Sequence, residues 1–174
     1  FKALSKNPNN VKVINFLSNC IYPHNVDLQV EEKLLSGEPH HSARAYAYAK
    51  IHAMHLFEVL KSKSNISVNQ LILPGLFGPG NHLHEDRLHA FDAILVRMLK
   101  AKKSGSKTFE LYGSGKPVRE WVPAEAVATA TQLLIDSEKE TPSIMNFSVQ
   151  FHESIRETAD RIRRLIDYDG QIIV

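Results

Sequence analysis

The chain has 174 residues, 43% of them hydrophobic and 23% charged, with a formal net charge of +2; this suits one globular domain with a real core and excludes a disordered tail. The basic excess is too small to argue for a nucleic-acid partner, and no apolar run approaches the ~20 residues of a membrane span. The first residues lack the charged and apolar regions of a signal peptide, and the single cysteine excludes an internal disulfide framework, so a reducing, cytoplasmic location is expected.

The predicted elements alternate between strand and helix, as in an α/β protein. Val11–Leu17 is apolar and β-branched, the pattern of a buried strand in a parallel sheet. An irregular stretch runs from Pro23 to His41, a helix from about Ala43 to Lys61, and a second strand from Ser67 to Leu73. The loop Pro74–Leu88 leads into a helix ending near Lys102, where the cluster of lysines is a solvated helix end. Short strands are predicted at Thr108–Tyr112 and Arg119–Val122, then a helix over Ala124–Ser137 and a strand over Ser143–Val149. An amphipathic helix over His152–Asp167 and a strand starting at Gln171 close the chain.

Two motifs carry chemistry. Ser18-Asn19-Cys20-Ile21-Tyr22-Pro23 closes the first strand, where parallel sheets gather their chemistry. Tyr46-Ala47-Tyr48-Ala49-Lys50 lies in the first helix, where residues four apart share a face, so Tyr46 and Lys50 address one volume and Tyr48 points elsewhere. A phenol ionises near pH ~10 and a lysine near ~10.4; an ammonium beside the phenol favours the phenolate and makes it a usable proton donor and acceptor. Ser18 would give a substrate carbonyl its second hydrogen bond. The plain alternative is a half-buried tyrosine beside a lysine that reaches for solvent.

With the Leu76-Phe77-Gly78-Pro79 loop, His89, and Gly113-Ser114-Gly115 followed by Arg119-Glu120-Trp121, these motifs resemble the extended short-chain dehydrogenase/reductases that act on nucleotide sugars, the NAD-dependent epimerase/dehydratase family. The resemblance runs through nearly the whole chain and is nearest to the branch that epimerises and reduces GDP-4-keto-6-deoxy sugars. It implies a partial Rossmann-type parallel sheet with a smaller mixed substrate-binding portion. Residues 1–84 would be the C-terminal part of the Rossmann-type domain with the catalytic motifs. Residues 85–174 would be mainly substrate-binding, with elements returning to the sheet. The implied activity is a nucleotide-sugar 3,5-epimerase/4-reductase using NADP(H), a homodimer in the full-length family. Carried over by position, Ser18, Tyr46 and Lys50 are the reductase triad, with Tyr46 and Lys50 also touching the cofactor. Cys20 is the epimerisation base and His89 its acid partner; a thiol near ~8.5 and an imidazole near ~6.5 suit removal and return of a proton beside a ketone. Arg97, Tyr112 and Arg119 would hold the nucleotide diphosphate and its base, although each arginine taken alone reads as a surface residue.

Several neighbours depart from the family pattern. Asn19 replaces a usual serine and Gly75 a usual asparagine; Pro123-Ala124-Glu125-Ala126 stands where His-Val-Asp-Asp is usual, and Ser148-Val149-Gln150 where Gly-Thr-Gly is usual. No glycine-rich strand–helix unit for a cofactor pyrophosphate precedes Val11, so the N-terminal cofactor-binding half is expected to be missing and the chain alone to bind NADPH poorly. His82, His84, Glu85, Asp86 and His89, with His52 and His55 elsewhere, fit no compact zinc pattern, so no metal is expected. The alternatives are a GDP-mannose 3,5-epimerase-like protein and, from another class, a non-catalytic fragment acting through a partner chain.

Overall fold

The computed structural model describes residues 11–64, 66–81 and 88–174. His82, His84, Glu85 and Asp86 lie outside the described residues. The chain divides into two compact units, one comprising residues up to Pro74 with Val127–Phe147, the other Gly75–Ala126 with Ser148–Val174.

The first unit is built on strands β1 (Lys12–Ser18), β2 (Ser67–Leu73) and β6 (Ile144–Asn146), in the order β1-β2-β6 and all parallel. Helix α1 (Arg44–Lys63) links β1 to β2, the connection that parallel pairing requires. The sequence of β2, Ser-Val-Asn-Gln-Leu-Ile-Leu, is buried at every position after the first, as expected of a central strand covered on both faces. Leu17, Ile21, Tyr22 and Ile72 pack with Ile51 and Met54 of α1, and a second cluster joins Leu60 to Ile66 and Val68.

Three amides sit within this apolar sheet, and each is matched. Gln70 is fully buried; it accepts from Asn15 Nδ2 at 2.8 Å and donates to Met54 O and Glu58 Oε1 at 3.3 Å. Asn69 donates to Thr141 Oγ1 and Pro142 O. Among the described residues no buried side-chain nitrogen or oxygen lacks a partner, which a desolvated sheet needs in order to stand.

Helix α3 (Ala124–Asp136) ends against Lys12, whose ammonium donates to Leu134 O, Ile135 O and Ser137 O at 2.9, 2.9 and 2.5 Å. Carbonyls at a helix C-terminus lack intrahelical partners and carry partial negative charge. Lys12→Met keeps the aliphatic stem and removes the cation; it is expected to lower stability by about 0.5–1 kcal/mol, read from urea unfolding.

The second unit contains β3 (Gly75–Phe77), β5 (Val118–Pro123) and β7 (His152–Ser154), with β3 parallel and β7 antiparallel to β5. Strands β4 (Thr108–Glu110) and β8 (Gln171–Ile173) form a parallel pair. Helices α2 (Ala90–Lys103) and α4 (Ile155–Leu165) supply Ile94, Met98, Ala159 and Ile162 to a core shared with Phe109, Leu111, Tyr168 and Ile172.

Two elements differ from expectation. The predicted loop after Pro74 contains β3, because Gly75–Phe77 finds a partner in Trp121–Pro123. The predicted helix from His152 begins only at Ile155: residues 152–154 pair with Val118–Glu120, and Ser154 starts α4 through a capping box with Glu157. The backbone N–H and the hydroxyl of Ser154 hold the Glu157 carboxyl below the usual carboxylate range, so this cap persists above that range and weakens as the pH falls. No described helix is long and apolar enough to cross a membrane.

Candidate active site

At the carboxyl end of β1 the chain turns sharply through a 3-10 turn, Asn19–Ile21. Ser18 caps it, its Oγ accepting from Cys20 N at 3.3 Å. Cys20 is a half-buried free thiol. Tyr22 closes the turn, its backbone N–H donating to Asn19 O, while its ring is buried and its hydroxyl donates to Asn146 Oδ1 at 2.9 Å. Burial pushes the Tyr22 phenol above its ordinary value, opposed in part by the Asn146 bond and reinforced by Glu31 and Glu32 nearby. It is a neutral donor at physiological pH.

Helix α1 buries Ala47 completely and leaves the flanking Tyr46 and Tyr48 partly exposed, at 51% and 38%. Lys50 lies one turn after Tyr46, its Nζ 5.7 Å from the centroid of that ring. The same ammonium donates to Phe16 O at 2.8 Å. This bond was not visible in the sequence: it ties the tyrosine–lysine helix to β1 two residues before Ser18, so Ser18, Cys20, Tyr46 and Lys50 are all positioned by β1 and α1 within the first unit.

The other candidates belong to the second unit. His89 is exposed at the N-cap of α2, and its side chain makes no capping bond. One turn in, the buried Asp92 accepts from Asn81. Arg97 and Tyr112 are brought together: the guanidinium carbon lies 3.6 Å from the Tyr112 ring centroid and 5.0 Å from that of Phe109, with Nη2 donating to Glu110 O at 2.6 Å. Tyr112 keeps 70% of its surface exposed. The turn after it needs positive φ at Gly113 and Gly115, +75° and +67°, which glycine adopts at little cost. Arg119 is exposed and donates to Val118 O. Its neighbour Glu120 has a role that the motif alone did not disclose: Oε1 accepts from Ser148 Oγ and Val149 N at 2.7 Å and from Gln150 N at 3.1 Å, fixing a loop in which Gln150 has a φ of +57°.

Among the described residues no group of three histidine, cysteine or carboxylate side chains could hold a metal ion. The sequence matches the Asn-x-Ser glycosylation pattern at Asn65-Ile66-Ser67 and Asn146-Phe147-Ser148; the amide of Asn146 is engaged with Tyr22 and Gln29 O, and Asn65 lies outside the described residues.

The model of the NAD dependent epimerase/dehydratase family matches residues 1–148. The chain belongs to this family. Among curated relatives, it is 27% identical to GDP-L-fucose synthase of Azorhizobium caulinodans over 94% of this chain and 53% of that protein, and 26% identical to GDP-L-colitose synthase of Yersinia pseudotuberculosis over 97% and 56%. Among solved structures, a GDP-L-fucose synthetase from Naegleria fowleri bound to NADP superposes with a TM-score of 0.75 at 28% identity, covering 92% of this chain and 52% of that one. The chain thus spans about half the length of the relatives it matches.

In this epimerase/dehydratase-family chain, the departure at Gly75 has a structural counterpart. Gly75 is in register with Trp121 on β5, and a Cβ at position 75 would fall 2.6 Å from the indole atoms Cε3 and Cζ3. The indole is buried, and its Nε1 donates to Thr158 Oγ1 at 2.9 Å, so it cannot swing aside without orphaning a buried donor. The bulk of Trp121 and the lack of a side chain at Gly75 are one packing solution.

Proposed function

We propose that this chain carries the catalytic residues of an NADP(H)-dependent nucleotide-sugar 3,5-epimerase/4-reductase of the GDP-L-fucose synthase type, acting on a GDP-4-keto-6-deoxy sugar. The observation that carries the reading is the Lys50–Phe16 O bond, which holds the Tyr46–Lys50 face of α1 against the end of β1 where Ser18 and Cys20 sit. Membership of the family and the names of the relatives support the same reading.

The donor set suits a nicotinamide ribose, because the Lys50 ammonium keeps further donors beyond the one on Phe16 O and the Tyr46 ring is half exposed. Lys50 and Tyr46 would hold the cofactor there, and bound NADP(H) supplies the hydride for the ketone carbon. Cys20, as thiolate, takes the proton from the carbon beside the ketone; the electron pair moves onto the carbonyl oxygen, where the Ser18 and Tyr46 hydroxyls hydrogen-bond the developing charge. His89 returns a proton to the opposite face of that carbon, restoring the ketone with inverted configuration. In the reductive step Tyr46 gives its proton to the carbonyl oxygen while Lys50 stabilises the phenolate left behind. Arg97 and Arg119 hold the diphosphate by charge-assisted bonds, and the exposed face of Tyr112, stiffened by the Arg97 stack, covers the base.

The test uses a form of the protein that binds NADP(H), with a GDP-4-keto-6-deoxy sugar in deuterated water. Cys20→Ser is expected to slow deuterium uptake at the carbons flanking the ketone about tenfold or more, leaving ketone reduction in place. Uptake at the unmodified rate would remove Cys20 from the mechanism. Uptake without any net reduction in the unmodified protein would point instead to a GDP-mannose 3,5-epimerase-like activity, and neither uptake nor reduction to a non-catalytic chain.

A further inference from the structure

We propose that Tyr22, Asn146 and Glu31 form a positioning network that holds the Cys20 thiol and the Ser18 hydroxyl in place at the carboxyl end of the sheet; the catalytic half of this inference rests on the reading of Cys20 as the epimerisation base. Asn146 ends β6 and is paired with Ile72 of β2, while Leu17 of β1 is paired with the same residue from the other side. The Tyr22 hydroxyl, leaving the turn after β1, therefore reaches past the middle strand to Asn146 Oδ1 at 2.9 Å. The amide of Asn146 is used at both ends, its Nδ2 donating to Gln29 O at 2.9 Å, and its backbone N–H donates to Glu31 Oε1 at 2.6 Å. A short bond to a carboxylate is among the stronger protein hydrogen bonds. One asparagine thus joins the turn after β1, the segment at Gln29–Glu31 and the end of β6.

The turn that carries Cys20 has two anchors. At its start, Ser18 Oγ accepts from Cys20 N at 3.3 Å, a long bond. At its end, Tyr22 supplies both the backbone closure to Asn19 O and the buried side-chain tether. Packing alone would be served by phenylalanine at position 22, among Leu17, Ile21, Ile51, Met54 and Ile72; the hydroxyl adds direction, because a buried donor must meet its acceptor. Without it the turn keeps its backbone closure and the long Ser18 bond but loses the tie to β6. A thiol displaced by ~1 Å from its proton can cost about 10²-fold in rate, so a tether of this kind bears on chemistry although Tyr22 itself need touch no substrate.

Cys20 is the only cysteine in the chain, so the rate of its alkylation by iodoacetamide reports on this turn alone and needs no cofactor or substrate. Tyr22→Phe is expected to keep the circular dichroism of the unmodified chain and to raise the alkylation rate at pH 7.5 by roughly three- to tenfold, as the hydrogen bond that ties the turn to β6 is lost. Val68→Ala, in the separate cluster with Leu60 and Ile66, is the control for general destabilisation and should leave that rate within twofold. In an NADP(H)-binding form, Tyr22→Phe should lower kcat for solvent deuterium uptake while leaving KM for the nucleotide sugar nearly unchanged. Should Tyr22→Phe fail to fold, Glu31→Gln, which weakens the bond to Asn146 N, carries the same test. An unchanged alkylation rate in the folded variant, or an equal acceleration in Val68→Ala, overturns the network. Failure of the Cys20 reading shows separately, as unchanged deuterium uptake in Cys20→Ser.

Discussion

Tyr46→Phe is expected to lower ketone reduction by about 10²- to 10⁴-fold in a form of the protein that binds NADP(H), because it removes the proton donor and keeps the ring. The neighbouring Tyr48→Phe should cost less than about threefold, well short of what loss of a general acid removes. The contrast follows from geometry: both rings are partly exposed, but Tyr46 is the one placed beside the Lys50 ammonium, which is itself fixed to β1 through Phe16 O. Lys50→Met should reproduce much of the Tyr46→Phe loss, since it removes both the cation and the tie to the strand. The measurement is single-turnover reduction followed by loss of NADPH absorbance. Equal losses in the two tyrosine variants would mean that the wrong tyrosine has been assigned or that neither donates the proton.

Gly75→Ala is expected to destabilise the chain by roughly 1–3 kcal/mol, the usual cost of forcing extra volume into a packed site. The added Cβ meets the six-membered ring of Trp121 at 2.6 Å and the Glu120 carbonyl at 3.1 Å, and the indole is restrained by its bond to Thr158. Trp121→Phe removes the ring portion that would clash. It destabilises by itself, because a buried indole is lost, yet the pair Gly75→Ala and Trp121→Phe should be more stable than the sum of the singles by about 1 kcal/mol. Urea unfolding of the four proteins closes this cycle, and strict additivity would show that the two positions are not one packing unit.

Much of the fold follows from local pattern. The β-branched runs of β1 and β2 and the long alanine-containing stretch of α1 are legible because burial imposes its period on the sequence, and a parallel pair joined by a helix is what such an order must form. The boundary at Ser154 was legible as well, as a serine followed three residues later by glutamate, but the apolar period of α4 extends the helix backwards when read alone. Strands β3 and β7 are each three residues long, and nothing in so short a stretch announces a partner; both exist because β5 lies between them.

By itself the sequence determined which residues are the candidates for chemistry: a serine and a thiol after a buried strand, and a tyrosine and lysine one helical turn apart, since these depend on spacing along a single element. Tertiary structure alone decided what holds them. The Lys50 bond to Phe16 O, the bonds of Tyr22 and Glu31 to Asn146, the stack of Arg97 on Tyr112 and the exclusion of a side chain at Gly75 by Trp121 all join residues from different elements. Such pairings are set by strand order and register, which place distant residues within hydrogen-bonding or packing distance, and no local period in the chain encodes them.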